Sequence, residues 1–211
     1  MENITNFFSQ GGFWMWPILV MSIVGLAVIL ERSIVVVGRH NIKADEFWKR
    51  LDVSLKSQNT AEAIRLCSQH ANSALAIVLK SGLEKADQGP DMIRNSIEEA
   101  SLNVIPEVTK RGTLLQNIAN IATLLGLLGT ILGLIDAFSA LATVTDPEQQ
   151  TKMLTAGISV AMNTTAFGLM VAIPCLLAHV LLSAVTKSVL DEIEEYSVKL
   201  ENTLVIMLKG R

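Results

Sequence analysis

Charge is scarce in this chain: of 211 residues, 18% are Asp, Glu, Lys or Arg, against about a quarter in an ordinary soluble domain. The formal net charge is −3 and the isoelectric point about 5.6, so the basic excess that marks nucleic-acid binders is missing and no nucleic-acid partner is expected. Cysteine is limited to Cys67 and Cys175, with no CxxC or CxxxC spacing. That excludes a disulfide-stapled scaffold and a cysteine-ligated metal centre. His40, His70 and His179 are far apart in sequence and no HExxH occurs. Gly157-Ile-Ser159-Val-Ala161 lacks the second glycine of a nucleophile elbow. Gly126–Gly133 (GLLGTILG) carries no lysine and follows no strand, so it is no phosphate loop. No enzyme, cofactor or metal is expected. Strand patterns and internal repeats are missing as well.

Apolar residues are abundant: half of the chain is hydrophobic and mean hydropathy is +0.44. Disorder requires the opposite balance. The apolar residues gather into three uncharged runs: 18 residues from Phe13 to Leu30, 24 from Gly112 to Ile135, and 34 from Met153 to Thr186. A bilayer core of about 30 Å takes about 20 helical residues. The second run fits this length, the first fits if it begins near Phe8, and the third should project beyond the membrane. The first run reads as a retained anchor. No Lys or Arg precedes Arg32, so the positive leading region of a signal peptide is missing, and Trp14 and Trp16 suit the membrane interface.

Lys and Arg set the expected orientation. None precedes the first run, eleven lie in Gly38–Arg111, none in Ala140–Gln150, and the tail has Lys187, Lys199, Lys209 and Arg211. The expected class is therefore an all-α membrane protein with three transmembrane helices and long cytoplasmic helical extensions. Residues 1–12 are expected outside (periplasmic in a Gram-negative cell), 13–37 as span one, and 38–111 as a cytoplasmic helical loop. Residues 112–142 form span two, 143–152 a periplasmic link, 153–186 span three, and 187–211 a cytoplasmic amphipathic helix.

In the loop, Asn59, Thr60 and Glu62 read as a helix start, and the stretch from Ala61 to Ala86 keeps helical spacing through Ile64, Cys67, Ala71, Leu75 and Val78. Gly89-Pro90-Asp91 punctuates the chain, with Pro90 in the first turn of the next helix. Pro106 is expected to kink that helix and Pro174 to bend the third span or free a carbonyl. The tail carries an apolar stripe of Val189, Ile193, Tyr196, Leu200, Leu204 and Met207. It needs a partner surface, either the chain's own loop helices or another copy. Glu31 and Arg32 read as a local charge pair at the end of span one.

Polar groups inside a bilayer are costly and often functional. Gly126, Gly129 and Gly133 are spaced for close helix packing. Thr123 and Thr130 share a second face of span two, with Asp136 near its outer end. Thr155, Ser159 and Asn163 are four apart on span three, followed by Thr164 and Thr165. Taken singly, each threonine has an ordinary role on its preceding turn. Asp136 reads as interfacial and His179 as an interfacial hydrogen-bonding residue. Together the two polar lines suggest a hydrated path or a contact with another membrane helix.

Span two, LLGLLGTILGLIDAFSAL, and span three, GISVAMNTTAFGLMVAIPCLL, resemble the paired signature of the MotA/TolQ/ExbB proton channel family, nearest its TolQ/ExbB branch; the opening GGFWMWPILVMSIVGLAVILER resembles that family's first span. The resemblance implies a homo-oligomeric ring, a homopentamer in the bacterial inner membrane, whose second and third spans line a pore. It also implies an ExbD/TolR-like single-span partner with a membrane aspartate, and proton motive force turned into work at the periplasm or outer membrane. By position Thr130 matches the second-span GT motif and Thr165 the third-span TA-x-G motif, which would place both on the proton path, with Asn163, Ser159, Thr123 and Asp136 as further polar positions. Val160 stands where relatives often carry glutamate, so a non-conducting membrane scaffold is the alternative. A proton crossing about 100 mV releases about 2.3 kcal/mol, and using it requires a titratable group that alternates between sides. A wall of hydroxyls shelters a carboxyl, whereas Lys or Arg would hold it ionised. With no basic residue in the expected pore, that group is expected on a different chain.

Overall fold

The computed structural model of the chain describes residues 12–40 and 42–209; residues 1–11 of the expected external segment, and Gly210 and Arg211 of the tail, lie outside the described residues. Helices make up most of the described residues, and no strand occurs among them. Helix α1 (Met15–Arg32) runs into a π-helical stretch, Ser33–His40. Then follow α2 (Ala44–Lys56), α3 (Thr60–Gln69), α4 (Ala74–Glu84), α5 (Pro90–Thr109), α6 (Leu114–Leu141) and α7 (Pro147–Lys209). Three stretches are long and apolar enough to cross a membrane: Met15–Val36, Pro90–Leu141 and Pro147–Leu208. Pro106 and Pro174 both lie inside helices.

The chain divides into two compact units, Met1–Leu30 with Thr113–Val180 and Glu31–Gly112 with Leu181–Arg211. In the first, Met15 and Ile18 of α1 pack with Ile118, Ala119 and Ala122 of α6 and with Phe167, Val171, Ala172 and Cys175 of α7. Gly25 makes the fit possible, since a Cβ there would lie 2.8 Å from the Cys175 sulfur. Large apolar side chains such as Trp16, Leu26, Leu124, Phe138 and Leu177 are exposed, as expected where acyl chains or a neighbouring helix replace water. Asp146 starts α7 by accepting the Glu148 N–H at 3.2 Å, ahead of Pro147 in the first turn.

In the second unit, α2 to α5 and the end of α7 enclose one core that includes Leu51, Leu55, Leu75, Leu79, Ile93 and Leu200. Asn59 accepts the Glu62 N–H at 3.1 Å. Gly89 adopts φ +98°, a conformation open to glycine, and Pro90 starts α5. The single helix read through 61–86 is instead two, broken at His70–Ser73. Burial explains the break: α3 buries only Ala63 and Cys67, whereas α4 buries Ala74, Leu75, Ala76, Val78, Leu79, Gly82 and Leu83. One straight helix could not take both a surface and an interior course. Close approach of α4 to α5 follows from Gly82, where a Cβ would lie 2.7 Å from Ile97. Beside it the Ser81 and Ser96 hydroxyls sit 2.7 Å apart.

The amphipathic tail takes the first of its two readings. Val189, Ile193, Tyr196, Leu200 and Leu204 are buried in the core of the loop helices. Tyr196 donates to Asp45 Oδ1 at 2.5 Å and its ring lies 5.4 Å from Trp48.

Glu31 and Arg32 attract each other but form no direct ion pair. Arg32, 4% exposed, donates through Nη2 to the Val108 carbonyl at 2.5 Å, while Glu31 pairs with Arg111. The last carbonyls of a helix have no partner within it, so Arg32 satisfies one at the end of α5. Arg32→Met should cost about 1–3 kcal/mol, the range for stranding a buried polar group, read as a lower unfolding midpoint in detergent, with Arg32→Lys in between.

Burial pushes the Cys67 thiol up to about 12, with Lys80 opposing in part. Only the thiolate reacts with maleimide. In a Cys175→Ser background, Cys67 labelling at neutral pH should be about a hundredfold or more slower in the folded protein than after unfolding.

Candidate functional site: a glycine seam between two membrane helices

Helices α6 and α7 meet along a line of small residues. A Cβ on Gly126 would lie 3.3 Å from the backbone of Thr164 and Thr165, and one on Gly133 3.3 Å from Ala161. On Gly129 it would strike the Thr164 side chain at 2.7 Å; on Gly168 it would strike the Ala122 carbonyl oxygen at 2.7 Å; on Gly157 it would overlap Ala137. Backbones this close need residues without side chains, the usual packing of helices in lipid. Across the seam the Thr165 hydroxyl donates to the Gly126 carbonyl at 3.0 Å. Thr164, 1% exposed, turns its hydroxyl to its own helix, at 2.8 Å from the Ala161 carbonyl.

A helix turns about 100° per residue, which sorts the polar side chains around this seam. Thr123 and Thr130 fall about 70° to one side of the α6 contact line, and Thr165 falls about 80° to the same side on antiparallel α7. On the other side, Ile118 and Phe167 pack with α1, and Val160 lies beside Gly12. The structure therefore brings Thr123, Thr130 and Thr165 to one flank. Asn163, half-buried, and Asp136, exposed, belong to the flank where α1 packs; Thr155 and Ser159, both exposed, are on the back of α7. Thr123 donates to the Ala119 carbonyl at 3.0 Å, Thr130 to Leu127 at 2.6 Å and Thr155 to Thr151 at 2.8 Å.

Sequence reasoning overlooked two features of this region. Gly157 and Gly168 complete the seam from the α7 side, a pattern visible as small residues at spacings of three and four through Gly157, Ala161, Thr164 and Gly168. Gln116, exposed, precedes Thr123 and Thr130 at seven-residue intervals on α6, and the same spacing rule could have found it.

These features define a three-span helical membrane protein with a glycine seam between its second and third spans. The chain belongs to the MotA/TolQ/ExbB proton channel family, whose sequence profile matches residues 70–195. It is 32% identical to the putative biopolymer transport protein ExbB-like 3 of Synechocystis sp., over 79% of this chain and 79% of that one. It is also 28% identical to the biopolymer transport protein exbB1 of Vibrio cholerae, over 87% of this chain and 80% of that one. With the ExbB homolog of Methanothermobacter thermautotrophicus the identity is 26%, over 92% and 66%. Family membership and three apolar helices make it a multi-pass inner-membrane protein of ExbB type, a subunit of a channel or transport complex and not an enzyme. The family implies partnership with ExbD/TolR-like proteins in general.

Proposed function

We propose that this chain is a proton-channel subunit that energises a periplasmic or outer-membrane process through an ExbD/TolR-like single-span partner bearing a membrane aspartate. Several copies, five by the family resemblance, form a ring around that partner. The N-terminus faces the periplasm and the C-terminus the cytoplasm, following the excess of Lys and Arg in 38–111. One observation carries the reading: Thr123, Thr130 and Thr165 share the flank of the seam opposite the one α1 covers. That flank holds no Lys or Arg to fix a carboxylate. Ser159, on the back of α7, and Asn163 and Asp136, on the flank where α1 packs, lie off that flank and are not assigned to the path. The work comes from the proton gradient, about 2.3 kcal/mol per charge per 100 mV.

The test is acid uptake by liposomes holding the chain with and without its co-expressed partner under an imposed potential. Partner-dependent uptake is expected. The scaffold reading is favoured by Val160, which sits against Gly12 and supplies no acid. It predicts an intact complex with no uptake, and that result would overturn the channel.

A further inference from the structure

Between α5 and α6 the chain leaves the helix for residues 110–113 alone. Lys110 has ψ 134° and Arg111 has φ +60°, while Thr113 is helical again. A helix often ends on one left-handed residue, usually glycine, because a Cβ crowds the backbone there. Gly112 is the next residue, yet the left-handed conformation falls on Arg111 and not on the glycine. The local sequence therefore does not ask for a break of this form at this position.

The end of α1 supplies what the local sequence lacks. Glu31 pairs with the Arg111 guanidinium. Its neighbour Arg32, 4% exposed, donates to the Val108 carbonyl at 2.5 Å. In an unbroken α-helix that carbonyl accepts the N–H of the residue four places on, here Gly112. Instead the Gly112 N–H donates to the Thr109 carbonyl at 3.0 Å. Arg32 thus takes the acceptor that a continuous helix would use, and Glu31 holds Arg111 in a conformation that a continuous helix forbids. All of these groups belong to one compact unit, that of residues 31–112.

We propose that the last two residues of α1 are a latch on the join between α5 and α6: Glu31 holds Arg111 left-handed, Arg32 takes the Val108 carbonyl, and without them α5 and α6 run on as one helix. The end of span one thereby governs how the chain enters span two. The latch owes nothing to the polar flank of the seam and holds whether or not the chain conducts.

Hydrogen exchange of the full chain in detergent tests this, read as protection of the amides of residues 111–113, each corrected for its intrinsic rate. Loss of an ordinary contact loosens the backbone and speeds exchange, whereas joining two helices slows it. Arg32→Met is expected to slow exchange there about tenfold or more, the scale of one hydrogen bond to a charged group. Arg111→Ala removes the ion pair and leaves a residue that avoids φ +60°, so exchange is expected to slow as well. Arg111→Gly removes the same pair but adopts φ +60° unaided, and protection is expected to stay at or below that of the wild type. Combining Arg32→Met with Arg111→Gly is expected to bring exchange back toward the wild-type rate. Arg111 is exposed, so its two variants keep the test decisive if Arg32→Met fails to fold. Faster or unchanged exchange in Arg111→Ala, or equal protection in Arg111→Ala and Arg111→Gly, would overturn the latch.

Discussion

Gly168→Ala is expected to part α6 from α7. The added methyl would sit 2.7 Å from the carbonyl oxygen of Ala122 and 3.1 Å from the Gly126 Cα. Both are backbone atoms that no rotamer change can move. Relief requires the helices to separate along the seam, which also lengthens the Thr165 bond to the Gly126 carbonyl. Overpacking of this kind costs about 1–3 kcal/mol, or a fall of roughly 5 °C in unfolding midpoint for a chain of this size. Gly157→Ala should behave alike, its methyl overlapping Ala137. Gly133→Ala is the control. Its methyl would meet Ala161 at 3.3–3.4 Å, and a few tenths of an ångström of adjustment should hold the loss to about 0.5 kcal/mol. Melting of the three variants in one detergent checks this. Equal losses at Gly168 and Gly133 would show that the approach is looser than described.

The spans, the loop helices and the apolar tail were legible because each rests on periodicity and length, which a single chain displays. The Asn59–Glu62 start and the Gly89-Pro90 break were legible because capping chemistry is local. Pairings set by tertiary packing were not. Nothing local distinguishes an Arg32 that pairs with Glu31 from one that reaches the Val108 carbonyl, 76 residues away. The break at His70–Ser73 is similar. The 3.6-residue pattern continues through it, and only the deep burial of α4 separates the two helices. At the seam the glycine spacing was visible, but adjacent Thr164 and Thr165 have the same letter and different duties. One turns to its own helix and the other crosses to Gly126. Which flank each polar residue joins depends on the direction of the neighbouring helix, so the polar lines of α6 and α7 were read as one set where the geometry makes three groups.

Thr165→Val separates a structural role from a role in the path. Valine keeps the branched shape, so the seam stays filled, and only the hydroxyl is lost. Losing one interhelical hydrogen bond in a membrane costs about 0.6 kcal/mol on average and no more than about 2, so the variant should still assemble with its partner. With the hydroxyl on the flank proposed to face the partner's carboxyl, proton uptake should fall about tenfold or more, equivalent to about 1.4 kcal/mol or more on the rate-limiting barrier. Thr130→Val should fall alike, since it shares the flank and bonds only its own helix. Thr165→Ser should stay near the wild-type rate. Thr155→Val is the internal control: Thr155 is exposed on the back of α7 and bonds the Thr151 carbonyl, so its uptake should remain within about twofold, a barrier change of about 0.4 kcal/mol or less. Partner co-purification confirms assembly for every variant, and potential-driven uptake is then compared at equal reconstituted protein. Unchanged uptake in Thr165→Val, or the same fall in Thr155→Val, would remove the flank from the path, because a wall that carries protons must be sensitive on one side of the helix and indifferent on the other.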